Sequence, residues 1–230
     1  QGLHTKMCQI AASELGAPLD QVHIKGTATD VCANTHPTAA SVGADLNGFA
    51  VQDACKQITA RLEKYRHKDP NMSFKDIAMA AWFDRVDLSA HGFYKTPDLG
   101  FDFNTGEGKA FHYHAYGVAC AEVEVDVLSG DYTTLRADIL HDVGNSLNPA
   151  IDMGQAEGGF VMALGYFFSE EVLWASGTNE QMNLGTWNYK PPSAADIPVE
   201  LNIEFLSNEP YSCVNIPVNL IPLPVEATME

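Results

Sequence analysis

Two short runs of small residues are the places where this chain could hold a ligand: "PTAASVG" (residues 37–43) and "DMGQAEGG" (residues 152–159). Each reads as the start of a helix. In the first, Pro37 and Thr38 are residue types that open helices, and Ala39, Ala40, Ser41 and Gly43 fill the first turn. The second opens an apolar helix predicted over Asp152 to Trp174, with Gly154, Gly158 and Gly159 at its beginning and Gln155 among them. Glycine costs a helix about 1 kcal/mol relative to alanine, so three of them need a reason. A helix start presents N–H groups without intrahelical partners and a partial positive charge. With no bulky side chain there, a large anion can reach the backbone. Close helix–helix packing is the simpler reading of either run alone. Two such starts in one chain, one with an amide at Gln155 that both donates and accepts, favour a polar ligand.

Other reactive groups give weaker patterns. Glu122, Glu124 and Asp126 alternate along one strand face and are expected to be solvated rather than to hold a cation. His112 and His114 stand two apart, on one face of an expected strand, without a third ligand at a telling distance. Cys120, inside a strand, reads as a small buried apolar residue. No GxSxG, P-loop or GxGxxG is present. The five cysteines are scattered and include no CxxC, which points to a reducing compartment. A net charge of -17 argues against a nucleic-acid partner and against docking on an anionic membrane. No apolar run is long enough to span a bilayer.

The elements that must position these groups follow from periodicity. Leu3, Met7, Ile10, Ala11 and Leu15 line one face of a helix stopped by Gly16 and Pro18. "QVHIKGTATD" is expected to form a short strand and a turn. A long helix follows Thr38, with Val51, Ala54, Cys55, Ile58 and Leu62 as its buried stripe, continued by Gly48 and Ala44. "RHKDPNMS" is expected to be a loop, and "FKDIAMAAWFDR" a short helix. Residues 88–114 are turn-rich, with aromatic side chains that could anchor a surface excursion. Val123, Val125 and Val127 alternate with acidic residues, "SGD" turns the chain, and Leu135, Ala137 and Ile139 alternate on the return strand. "VELNIEFL" is a further strand. The fold class is α+β, with long helices and an antiparallel sheet.

"QGLHTKM", "PTAAS", "GFYKTPDLGF", "SLNPAIDMGQ" and "NYKPPSAADIPVELN" together resemble the molybdenum hydroxylases. Within them they are similar to the C-terminal part of the molybdenum domain of the xanthine dehydrogenase/aldehyde oxidase type, with "GFYKTPDLGF" leaning towards xanthine dehydrogenase. The resemblance runs over residues 1–210, and 211–230 form a divergent tail. It implies molybdopterin as cofactor, with Gln1, Gly2, Thr38, Ala39, Ala40, Ser41, Val42 and Gln155 beside it. Ala39 and Ala40 would also line the substrate, with Ala40 next to the molybdenum. The implied reaction is hydroxylation of hypoxanthine and xanthine to urate. Electrons would leave through 2Fe–2S clusters and FAD to NAD, all outside this chain. A purine substrate, the remaining domains of a parent enzyme, a homodimer and a cytoplasmic setting (with the peroxisome as alternative) are implied with it.

The chain departs from the pattern in places. The family's base glutamate stands in a GEP segment that this sequence lacks; the "NEP" at Glu209 falls too early to replace it. Gly43 stands where a hydroxyl residue is expected, and Met162 where a glutamine is expected. Both ends look cut, so a piece of a longer enzyme is expected, inactive by itself, with apolar surface uncovered. An aldehyde oxidase-like hydroxylase and a truncated non-catalytic paralogue are the alternatives.

Overall fold

The computed structural model describes residues 2–206. These form two compact units, one up to His112 and the other from Tyr113. Gln1, Glu209 and the tail 211–230 lie outside the described residues.

The first unit is built on two helices, α1 (Leu3–Leu15) and α2 (Gly43–Lys68). α1 has the predicted limits. Gly16 takes the left-handed conformation (φ 63°), and its N–H bonds back to the last turn, a closure that an L side chain would strain. α2 differs from expectation at both ends. It begins at Gly43, five residues beyond Thr38, because Ala40 and Ser41 have φ of 51° and 56° and cannot be helical. It then runs through Arg66, His67 and Lys68, which the sequence reading gives to a loop. Arg66 and Lys68, cations in the last turn, suit the negative end of the helix dipole.

α1 and α2 pack side by side and run parallel. A Cβ on Gly43 would stand 3.7 Å from the Leu3 side chain, and one on Gly48 would stand 3.1 Å from Ile10. Further along, Gln52 Nε2 donates to Glu14 Oε1 at 2.6 Å, and Thr59 Oγ1 donates to the Glu14 carbonyl at 3.3 Å. Arg66 Nη2 donates to the Leu15 carbonyl at 2.5 Å. Both positive helix ends therefore lie at the same end of the pair.

α3 (Phe74–Phe83) follows, with the Ser73 hydroxyl accepting the Asp76 N–H at 3.2 Å as its N-cap. Leu62, Tyr65, Ile77 and Ala81 make the buried core between α2 and α3, with Ile58, Met72, Val86 and Leu88 packed around it. Leu62 is 1% exposed, and burying a leucine side chain contributes about 2 kcal/mol. The Tyr65 hydroxyl donates to Asp84 Oδ2 at 2.7 Å at the edge of that core. Residues 22–28 have no strand partner, so the strand expected in "QVHIKGTATD" is absent. Its side chains are almost all exposed, so no burial repays pairing it. The excursion after α3 includes a small hairpin, β1 (Gly100–Asp102) with β2 (Glu107–Lys109).

The second unit holds β3 (Tyr116–Val125), β4 (Tyr132–Asp142) and β5 (Glu200–Phe205), in the order β3-β4-β5. β3 and β4 form the antiparallel hairpin that "SGD" predicts. β5 joins β4 in parallel, so this sheet is mixed rather than purely antiparallel. A register shift opposite Glu122 and Val123 leaves Leu135 unpaired; the buried residues of β4 are then Thr134 and Ala137, not a strict alternation. Val127 belongs to the turn rather than the strand. Arg136 binds Asp138 through Nε (2.6 Å) and Nη2 (2.9 Å), and Asn202 Nδ2 donates to the same carboxylate at 2.9 Å, tying β5 to β4.

Between β4 and β5 lies α4 (Pro149–Leu164). It starts three residues before the predicted Asp152 and ends at Leu164, where a wider π-type turn over Gly165–Ser169 begins. Asn183, 3% exposed, then shapes the excursion towards β5. It accepts the Leu173 N–H at 2.8 Å and donates its amide to the Glu171 carbonyl.

Candidate functional site

The common end of α1 and α2 gathers most of the residues singled out in the sequence. Gly2 caps α1 in the left-handed conformation (φ 76°) with no side chain capping the helix. Val42 caps α2, again without a side-chain cap. Neither helix start is therefore closed by the side chain of its own cap residue. Thr38 lies close to Leu3 around Gly43: its Cγ2 is 3.9 Å from where a Gly43 Cβ would be. The missing hydroxyl at Gly43 leaves room that an ordinary side chain could occupy.

The turn before α2 is the most unusual backbone of this end. Ala40 and Ser41 are consecutive left-handed residues, and the Val42 N–H bonds to the Ala39 carbonyl at 3.3 Å. Positive φ at both central positions defines a type I′ turn, which glycine and asparagine normally occupy. An alanine or serine held there costs roughly 1–2 kcal/mol. Strain of this kind persists where packing over-determines it, and it concentrates at ligand clamps. Thr38, Ala39, Ala40 and Ser41 are all exposed, so the strained turn presents its backbone outward. "PTAASVG" is thus not the first turn of a helix but the loop that feeds one.

Gln155 belongs to the second unit, and the helix start expected around it is corrected. α4 is closed at its N-terminus by the Asn148 side chain, which accepts the Ile151 N–H at 3.2 Å. Pro149 and Asp152 fill the first turn, and Ser146 Oγ donates to Asp152 Oδ2 at 2.5 Å. Gly154, Gln155, Gly158 and Gly159 lie in the helix interior, beyond the orphan N–H groups. They make one exposed flank. Nothing lies within 4 Å of the Cβ positions of the three glycines. Packing against another described element therefore does not account for them. What remains open there is a strip of bare helix backbone beside one amide side chain.

The two histidines do not form a strand pair: residues 112–115 precede β3. Among the described residues no group of three His, Cys, Asp or Glu could hold a metal ion. Cys120 is exposed rather than buried, because β3 is an edge strand with all ten residues exposed. Glu122 and Glu124 are solvated as expected; Asp126 instead accepts the Leu128 N–H at 2.8 Å in the turn, which lowers its carboxyl pKa.

A feature that sequence reasoning missed flanks the same helix end. Residues 87–94 lie along α2 and run towards its N-terminus. Arg61 Nη1 donates to the carbonyls of Asp87 (2.9 Å) and Ser89 (2.7 Å), and Gln57 Nε2 donates to His91 at 3.0 Å. Gly92 then lies against the helix backbone, where a Cβ would be 1.8 Å from the Ala50 carbonyl oxygen. Tyr94 stacks on Phe49 at 4.5 Å between ring centroids. Burial and, after it, Asp45 in the first turn of α2 push the Tyr94 phenol up. The run "GFYKTP" carried the signal in its glycine next to two aromatics.

Residues 1–198 match the family of the molybdopterin cofactor-binding domain. The chain belongs to that family. It is 51% identical over 208 residues to a xanthine dehydrogenase of Emericella nidulans, covering 90% of this chain and 15% of that protein. It is 50% identical over 210 residues to a xanthine dehydrogenase/oxidase of Felis catus, covering 91% of this chain and 16% of the relative. The chain thus spans about one-sixth of the length of these relatives. Among solved structures, an aldehyde oxidoreductase of Desulfovibrio desulfuricans superposes with TM-score 0.73 at 21% identity, over 90% of this chain and 22% of the other. A Cu,Mo-CO dehydrogenase superposes with TM-score 0.73 at 20% identity, over 92% of this chain and 28% of that one. Both share the α+β fold.

Proposed function

We propose that this chain forms part of the cofactor cradle of a molybdenum-dependent hydroxylase acting on purines. The carrying observation is the common end of α1 and α2, where two uncapped helix starts meet the strained turn at Ala40 and Ser41. When bound, the molybdenum cofactor supplies the oxidative hydroxylation of an electron-poor ring carbon. The residues of this chain bind and orient. The starts of α1 and α2, neither closed by a side chain of its cap residue, offer two parallel helix dipoles to a pterin and its phosphate. Gly2, Thr38, Ser41 and Val42 form the wall, and the resemblance in sequence adds Gln1 to the cofactor's ligands. Ala39 and Ala40, with a single methyl each, let a flat purine approach the metal. The Gln155 amide, on the second unit, both donates to and accepts from a heteroaromatic ligand.

The purine assignment rests on relatives about 50% identical whose names are xanthine dehydrogenase. With it come a larger parent protein holding 2Fe–2S clusters and FAD, electron delivery to NAD, a homodimer and a cytoplasmic or peroxisomal setting. The fold neighbours include aldehyde oxidoreductases, so an aldehyde is the second substrate class to try. In the complete protein, Ala40→Val places a β-branched residue in a left-handed position and narrows the wall. It is expected to lower molybdenum content or kcat/KM for xanthine by about a hundredfold, the cost of small misplacements near chemistry. A wild-type protein without molybdenum, or an Ala40→Val protein indistinguishable from it, would refute the reading. A higher kcat/KM for aldehydes than for xanthine would move the substrate assignment.

A further inference from the structure

We propose that the segment Asp87–Tyr94 is a strap that holds the first turn of α2 in place, and that Tyr94 is a positioning residue for the cofactor bound beside that turn. This rests on the cradle reading above. The strap is anchored along one face of α2 at successive turns: Arg61, Gln57, the backbone at Ala50 and Ala54, then Phe49. α1 occupies another face, through Gly43, Gly48, Gln52 and Thr59. The helix start is therefore gripped from two sides.

The turn before α2 is closed by one backbone bond, Val42 N–H to the Ala39 carbonyl at 3.3 Å, and the grip adds to it. Val42 has no side-chain cap, and Ala40 and Ser41 occupy a conformation that neither prefers. If the first turn of α2 frays, these two residues relax to ordinary φ and the turn loses its fixed shape. Tyr94 is the anchor nearest that turn. Its ring covers Phe49, one turn beyond Asp45, and Gly92 lets the strap lie on the helix backbone close enough for the rings to meet. Arg61, by contrast, anchors the strap about 24 Å further along the helix from Asp45, at 1.5 Å per residue.

The test compares the two ends of the strap in the complete protein. Tyr94→Leu removes the near anchor and Arg61→Met the far one. Molybdenum per protein and the thermal midpoint are measured for each, so that cofactor retention is separated from folding. Tyr94→Leu is expected to lose molybdenum by about tenfold, the lower end of the cost of removing an outer-shell support, while Arg61→Met stays within about twofold of wild type. The Arg61 protein should nonetheless show a thermal midpoint lowered as much as that of Tyr94→Leu. Wild-type molybdenum content in Tyr94→Leu, or equal losses in both variants, would overturn the positioning role. Should Tyr94→Leu fail to accumulate, Phe49→Leu removes the same stacked pair from the helix side and is read in the same way. A wild-type protein without molybdenum would sink the cradle reading and this inference together; loaded protein with unaffected variants sinks only the inference.

Discussion

Ala40 and Ser41 illustrate how little a side chain's chemistry says when its backbone is unusual. Their value to a ligand lies in what they leave bare, and their cost lies in φ. Cys55 shows the opposite case, a reactive group made inert by position. It faces the α1–α2 interface at 5% exposure, and burial, with the Glu14 carboxylate adding to it, pushes its thiol up to about 11. At pH 8 only about one molecule in a thousand would then carry the thiolate, the species that reacts. Iodoacetamide at pH 8 should therefore label the exposed Cys32 and Cys120 at least about a hundredfold faster than Cys55, as read by peptide mass spectrometry. Comparable labelling of Cys55 in folded protein would contradict the packing of α1 on α2.

At the scale of elements, the mixed sheet depends on a polar cluster as well as on burial. β5 adds to β4 in parallel, and Arg136, Asp138 and Asn202 join the two strands on an exposed face. The Arg136 hydrogen bond first, and the Asn202 amide next, hold the Asp138 carboxyl below its ordinary value. A carboxyl depressed on folding contributes stability above its unfolded pKa, about 3.9 for aspartate, and that contribution is lost as pH falls through the folded value. As pH falls below about 4, thermal stability of wild type should therefore decline more than that of Asp138→Asn, which has no proton to take up. Parallel pH profiles for the two would remove the cluster from the acid response. The effect is small, since the pair is solvent-exposed.

The helix pair and α4 show where local pattern was readable. α1, α3, the β3–β4 hairpin and β5 follow from periodicity, because each has a strong pattern and a clear stop. The start of α2 does not. "PTAAS" has good helix formers, yet Ala40 and Ser41 take the left-handed conformation, which their residue types do not signal. α4 fails for a different reason. "SLNPAID" carries a better start signal, asparagine followed by proline, than the glycines that drew attention downstream.

For the molecule as a whole, the telling quantity is apolar surface left open. Phe103 (91%), Leu128 (94%) and Trp187 (93%) are almost fully exposed, and Met162, Tyr166 and Phe167 at the end of α4 are each 74% exposed. So many large apolar side chains left in water call for a cover. The 230-residue chain purified by itself should therefore bind a hydrophobic dye strongly, elute as aggregates in size exclusion, and carry no stoichiometric molybdenum. A monodisperse, dye-silent chain with bound molybdenum would show that the cradle is complete without further sequence.

The sequence by itself determined the family, the fold class and most of the residues proposed around the cofactor. Those follow from local composition: small residues that leave backbone bare, alternating valines, and long matched runs. Only the tertiary structure decided that α1 and α2 run parallel, that Ala40 and Ser41 are strained, and that the glycines of α4 line a flank rather than a helix start. It alone set the strap on α2. The parallel helix pair and the strap depend on contacts between residues tens of positions apart, such as Leu3 with Gly43 or Phe49 with Tyr94, and no local propensity encodes such a pairing.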